Sequence, residues 1–518
     1  MIWRIARKEL LSNLITLRFS VGTALFLALV VLFTSVLISD YLLKLERYNG
    51  QVSKNSERLR NQMTYKNLKP DIYKPPEVLS VFSKGLKDNI AKEVQIIINA
   101  VPVPKGAYTA KNPLLSVFPV LDIVLIFKVV ISILIFLFIY DTISGEKEDR
   151  TLALMLVNDI PRHQILFGKF IGALITISIP ITIGFLTTGL ILLLSPVVDL
   201  TSSEWFLIVL MYFVSVIMVG VLCSIGLFFS AITRQASQTM IFLFSVWVLL
   251  AFIIPNSSMY LVSWLKPIEP QRTIDLQASK VQGEFRNRIR ELMANNPPSG
   301  YHIQSDTTEP GGYYHKFASK SLIRDRQKLY SVAIPIAIEY ADKELQVRKS
   351  YLESMKRQED LAVKISLLSP LSVYEMLISR LSGTNAVNFE RFYEQAGDYR
   401  RQIIEYLYSK KAFSSIRYFA TVKEEHLFDV KNVEEYSALR EKYANNNPDP
   451  LKLKDLPRFT YRPGIITDTK EFYPIWGFSS LPALCSLSVP LSLFLNTMSD
   501  KRKRSCWVPL SKKSCSLT

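Results

Sequence analysis

The chain has 518 residues, is 49% apolar and carries a formal net charge of +17. Four histidines are too dispersed for a metal centre by spacing, and neither 44–118 nor 262–474 contains a cysteine, so those regions cannot use disulfides. No G-x-x-x-x-G-K-[ST] loop is present, so the chain has no recognisable phosphate cradle of its own.

In chain order, the first element is a short amphipathic stretch over residues 1–18. Trp3, Ala6, Leu10, Leu14 and Leu17 share one helical face, while Arg4, Lys8 and Arg18 lie off it. It reads as a helix lying in the membrane interface or as a plain extension of the span that follows. Six segments then qualify as transmembrane helices: Phe19–Leu43, Pro119–Tyr140, Phe170–Leu194, Trp205–Ile232, Thr239–Leu261 and Ile475–Leu495. A helix needs roughly 20 apolar residues to cross the ~30 Å bilayer core. The sixth segment is the weakest, because Pro482 and Pro490 interrupt it. The first is too long for a signal-peptide core and has no cleavage site after it.

Lys and Arg in the short segments set the expected orientation. Arg4, Arg7, Lys8 and Arg18 crowd the N-terminus, and Lys501–Arg504 with Lys512 and Lys513 crowd the tail at 496–518. The connection Ser195–Glu204 has no Lys or Arg. Both termini and the loop at 141–169 are therefore expected on the cytoplasmic side, with 44–118 and 262–474 outside. The basic character of 44–118 is discounted, because that region exceeds the length over which the rule holds. Net positive charge thus reports topology and contact with anionic membrane lipids, with no nucleic-acid motif to argue otherwise.

The large region 262–474 is long enough for a domain of its own. Phe317–Ser366 shows helical spacing with Pro335 as an expected kink, and Tyr374–Leu381 and Phe389–Lys411 are further helices. Asn295–Gly300 and Asn445–Pro450 read as loops. After Leu484, serine, cysteine and basic residues all rise together. A genuine polar tail and a shifted reading frame both fit that break. The fold class is an all-α polytopic membrane protein of six transmembrane helices, with a mainly helical extracytoplasmic domain between helices five and six.

Two ionisable residues fall within the second span, Asp122 and Lys128. An intramembrane lysine is a functional candidate by default, against the plainer reading of a snorkelling or locally paired side chain. Their i, i+6 spacing does not place them on one helical face. Glu424-Glu425-His426 and Glu434-Glu435 read as solvated surface.

From Tyr140 onward the sequence resembles the ABC type-2 permeases, the membrane subunits of ATP-driven exporters. The resemblance rests on Tyr140-Asp141, on Ser144-Gly145-Glu146-Lys147-Glu148, on Thr151-Leu152, on Pro161-Arg162, and on Gly168-Lys169-Phe170-Ile171-Gly172. Arg150 stands where the family often has glycine. The resemblance implies a permease subunit with no ATP site, no cofactor and no catalytic or metal-binding residue. Its partners would be a cytoplasmic ABC ATPase subunit and a second permease copy or paralogue, in the cell (cytoplasmic, inner) membrane. The ATPase-coupling loop would comprise Ser144, Gly145, Glu146, Lys147, Glu148, Arg150, Thr151, Leu152, Pro161 and Arg162, beside apolar Leu154, Met155 and Leu156. The other class considered is a membrane-anchored extracytoplasmic protein that senses or scaffolds; six spans are excessive for an anchor.

Overall fold

A computed structural model describes residues 1–85, 93–105, 122–152, 157, 161–299, 304–309, 312–422, 427–429, 437–438, 442 and 449–463. Among the described residues, five helices are long and apolar enough to cross a membrane. They are α2 (Leu17–Arg60), α3 (Ile123–Glu148), α4 (Arg162–Leu194), α5 (Ser202–Ile232) and α6 (Ala236–Leu265). The protein is an all-α polytopic membrane protein in its spanning part. The expected sixth span and the tail lie outside the described residues, as do Leu154, Met155, Leu156, Glu424-Glu425-His426 and Glu434-Glu435.

A short helix, α1 (Ile2–Leu14), precedes the spans. Thr16 ends it and caps the next helix, its hydroxyl accepting from the Phe19 amide. The spans share one apolar core in which Phe26 and Val30 of α2, Ile131 and Ile135 of α3, Ile177 and Ile181 of α4, and Met211 and Leu222 of α5 are buried. Small residues set the closest approaches. A Cβ on Gly184 would stand 3.1 Å from the Phe26 ring, and Thr34 and Thr188 hydroxyls meet at 3.3 Å. A capping box between Thr201 and Glu204 starts α5. The helix α4 runs unbroken through Pro180.

Two spans contain a π-helical turn, Phe127–Ile131 in α3 and Leu249–Ile253 in α6. Such turns widen the helix by one residue and leave carbonyls without the usual partner. Trp247 donates its indole N–H to the Ser132 hydroxyl at 2.7 Å just beyond the first of these turns.

The sequence treats 44–118 and 262–474 as separate regions, but the described parts form a single body. The helix α2 continues to Arg60, well past its apolar segment, for 44 residues or about 66 Å. On that extension Asn55 brackets the Asp71 backbone and Arg58 pairs with the Asp71 carboxylate at 2.8 Å. These contacts hold β1 (Asp71–Tyr73), which pairs antiparallel with β2 (Glu93–Gln95), and β2 in turn with β3 (Val103–Lys105). Leu68, Ile72, Val94 and Ile96 of this sheet region share a second core with residues of the later insert, including Phe392, Ile403 and Leu407. Arg400, buried, stitches the two stretches: it donates to the Ile97 and Ile98 carbonyls and pairs with Asp342 at 2.6 Å.

The later insert contains α7 (Gln271–Ala294), the strands β4 (Gln304–Glu309) and β5 (Gly312–Ser319), α8 (Lys320–Ser366), α9 (Pro370–Leu381) and α10 (Ala386–Ser409). The strands β4 and β5 are antiparallel, and β6 (Leu427–Phe428) pairs parallel to β5. Helix α8 continues through Pro335 for 47 residues. One helix departs from the rest. Helix α9 is not on the insert's surface: Leu371, Tyr374, Ile378 and Leu381 belong to the core of the spans.

Candidate functional site: the charged joint at the loop end of the bundle

The residues that carried the family resemblance converge at the end of the bundle where α3, α4, α5 and α6 exchange chain. Their glycines and charges divide the work. Gly168 and Gly172 lie one turn apart on α4 and form the seat of α1. A Cβ on Gly168 would stand 2.8 Å from the Ile5 Cβ, and one on Gly172 would stand 2.7 Å from the Glu9 Cβ. Neither position tolerates a larger side chain without displacing α1. Ala6 fills the buried centre of that seat, and Trp3 and Leu11 remain exposed on the other side of α1. The helix is therefore docked on α4 through Ile5, Ala6 and Glu9.

Between those glycines stands Lys169, 2% exposed. Its ammonium lies 2.9 Å from a Glu146 carboxylate oxygen and 3.3 Å from one of Glu9, and it donates to the Thr142 carbonyl at 2.8 Å. One cation thus ties α1, the turn ending α3, and α4. A buried ammonium is tolerable only with such partners. Burial raises the Glu9 carboxyl above its ordinary value, with the Lys169 charge working against that rise and Glu146 adding to it. Raised folded-state affinity for a proton means that the Glu9 contribution weakens as pH climbs above the ordinary carboxylate range.

The other charges of the turn serve the ends of neighbouring helices. The last residues of α3, Ser144–Glu148, form a short helical turn. Lys147 donates to the Ser230 carbonyl at 3.3 Å, to the Thr233 carbonyl at 2.9 Å, and to the Ala231 carbonyl. These are the unpaired carbonyls at the C-terminus of α5, where a cation is favoured. Glu148 accepts from the Ala236 amide at 3.2 Å, the first residue of α6, where an anion is favoured. The Ser230 hydroxyl accepts from the amides of Ile143 and Ser144, both at 3.1 Å. Arg18, at the start of α2, pairs with Asp141 at 3.0 Å and lies over the Tyr140 ring.

The sequence reading placed Glu146, Lys147 and Glu148 together in the ATPase-coupling loop. The structure turns Glu146 inward to Lys169 and Lys147 onto α5. The outward surface consists instead of Glu148, Asp149, Arg150 and Thr151, with Val157, Pro161 and Arg162. Leu152 is half-buried against the core. Glu9 and Ser230 were missed by the sequence reading, since neither lies in the motif. Arg150 has a φ of 60°, the left-handed region that glycine adopts freely. The position where the family often has glycine is thus one whose backbone calls for it.

Lys128, the intramembrane candidate, is at the opposite end, in the π-helical turn of α3. Its ammonium meets Glu375 of α9 at 2.7 Å. Asp122 is not its partner: that carboxylate caps α3, accepting from Leu125 at 2.8 Å, and accepts from the Lys84 amide at 3.1 Å.

Two outcomes follow at the loop end. Lys169→Met leaves two carboxylates facing each other in a buried site and should cost on the order of 3 kcal/mol. Glu9→Gln keeps an acceptor oxygen and sheds a charge that burial disfavours, so its cost should stay near ~1 kcal/mol. Thermal unfolding of the detergent-solubilised chain compares them; equal losses would remove Lys169 from the centre of the joint. Arg150→Gly should stabilise the chain by about 1 kcal/mol through relief of the left-handed backbone. A lower melting temperature for that variant would mean that the arginine side chain contributes more than its backbone costs.

The sequence matches a family model described as ABC-2 family transporter protein over residues 3–413. No curated protein matches the sequence. The match covers all five described spans, the loop-end joint and α9. The chain belongs to the ABC-2 transporter family, as a multi-pass membrane subunit of an ABC transporter.

Proposed function

We propose that this chain is the permease subunit of an ATP-driven exporter, worked by a separate cytoplasmic ATPase that bears on the turn after α3. The observation that carries the reading is the way the turn is fixed. Glu146, Lys147 and Glu148 bind it to α4, α5 and α6, so a force applied to its exposed side reaches three spans at once. The exposed side, Glu148 to Thr151 with Pro161 and Arg162, offers charge of both signs beside the half-buried Leu152. Charged rims around apolar anchors are what partner interfaces use. A second copy of the chain, or a paralogue, completes the pathway, and the insert lies outside the cell.

The coupling assignment is checked with Asp149→Lys combined with Arg150→Glu. Both side chains are exposed, so the purified permease should keep its thermal stability, while co-purification with the ATPase and stimulated ATP hydrolysis should fall by tenfold or more. Like charges juxtaposed at an interface cost several kcal/mol. Unchanged stimulation in that double variant would remove this surface as the contact. The permease alone should hydrolyse no ATP. Glu146→Lys is the wrong probe, because it would break the joint with Lys169 before it touched any partner.

Orientation is checked by thiol labelling in intact cells. Ser144 is buried and would be silent on either side. Exposed Thr151 and Ser299 are the useful positions. An impermeant reagent should modify Ser299→Cys and spare Thr151→Cys; the reverse pattern would place the turn outside and end the coupling argument.

A further inference from the structure

Helix α9 packs into the core of the spans rather than into the core of the insert. Its stripe of Leu371, Tyr374, Ile378 and Leu381 is buried among the spans. Among the described residues, three polar attachments tie it to the spans, each to a different one. The Glu375 carboxylate meets Lys128 of α3 at 2.7 Å. The Tyr374 hydroxyl shares a hydrogen bond of 3.2 Å with Ser215 of α5. The Ser369 hydroxyl, which caps α9, donates to the Leu250 carbonyl of α6 at 2.6 Å.

Two of those attachments use the π-helical turns. Lys128 belongs to the turn in α3, and Leu250 to the turn in α6. A regular α-helix would keep the Leu250 carbonyl in its own ladder; the π turn changes that pattern where Ser369 arrives. The Phe127 ring, in the same turn as Lys128, stacks on Tyr374 with centroids 5.9 Å apart. The π turn in α6 thus gives α9 a backbone acceptor, and the one in α3 carries two side chains that α9 meets.

The ion pair is the exposed member of this set. Lys128 is 14% exposed and Glu375 52% exposed, about 8 Å below the start of α3. A half-exposed carboxylate at that depth is not stable against lipid. Water or a polar partner on its open side would satisfy it. The connections to the insert are short: 367–369 from α8, and Ser382 to Asn385 into α10. The second connection passes Gly383, whose φ is +71° and where a Cβ would overlap the Glu77 carboxylate. With so little slack, α9 cannot leave the spans without moving α8 and α10.

We propose that α9 is a gate seated in the insert-facing end of the bundle, with Lys128–Glu375 as its latch. When α3, α5 and α6 shift relative to one another, the three attachments cannot all persist. The exposed ion pair gives way first, and α9 lifts with the insert. The latch itself rests only on the geometry above; its use in a transport cycle rests on the coupling reading.

Ser372 is the reporter, buried on α9 with its hydroxyl unpartnered. Ser372→Cys is placed in a chain whose four native cysteines are replaced, and its modification by an impermeant maleimide is timed. In the purified chain without ATPase, Lys128→Met and Glu375→Gln should each speed labelling about tenfold. The exchanged pair, Lys128→Glu with Glu375→Lys, should return the rate to within about threefold of the starting value. Rates unchanged in both single variants, or an exchanged pair as fast as the singles, would overturn the latch. In the assembled complex, labelling should quicken during ATP turnover and remain slow without nucleotide. Equal rates in a complex that does hydrolyse ATP would overturn the gate while leaving the coupling contact standing.

Discussion

The loop end depends on one interaction, a lysine ammonium held out of water between two carboxylates and a carbonyl. Lys169 is among the largest fully buried side chains of the molecule. Its desolvation is supportable only while Glu9, Glu146 and the Thr142 carbonyl stay within bonding distance. Those groups belong to α1 and α3 and the lysine to α4, and none of the three helices can shift far without leaving a buried charge uncompensated. Hydrophobic packing alone would allow neighbouring helices to slide, because lipid is as apolar as their side chains. The ammonium removes that freedom at the turn on which the proposed ATPase contact would bear.

The two ends of the bundle use charge in opposite ways. At the loop end the cation is buried and shared, and the glycines at 168 and 172 bring α1 against it. At the other end Lys128 pairs, among the described residues, with Glu375, which is half exposed. A triad around a buried cation resists separation, because parting strands that charge in low dielectric; a pair with one half-exposed member separates at lower cost. Rigidity where the turn meets the spans and release where α9 meets them are what the proposed coupling and gate require together.

The five described spans were legible because their signal is local: an apolar run of sufficient length can only be helix in lipid. The loop motif was legible as a motif, but its chemistry was not, because the partners of Glu146, Lys147 and Glu148 arrive from Lys169, from 230–233 and from Ala236. Lys128 could be singled out as costly, yet Glu375 lies 247 residues away. Helix α9 shows the limit most clearly. Its stripe at 371, 374, 378 and 381 has the period of any helix with one buried face, and periodicity does not say which core that face enters. The union of the two inserts is likewise a matter of long-range contacts such as Arg400 with Ile97 and Ile98.

Arg150 joins local backbone to the same logic. The turn must reverse after Glu148 while Glu146 stays with Lys169 and Glu148 stays with the Ala236 amide. Those two anchors leave the chain little choice of path, and residue 150 enters the left-handed region. Glycine would enter it freely; arginine does so at a cost of roughly 1–2 kcal/mol. Such a cost is sustained only where surrounding contacts over-determine the backbone. The strained φ is thus a consequence of the buried joint: the anchoring of the carboxylates sets the turn, and the residue at its tip conforms.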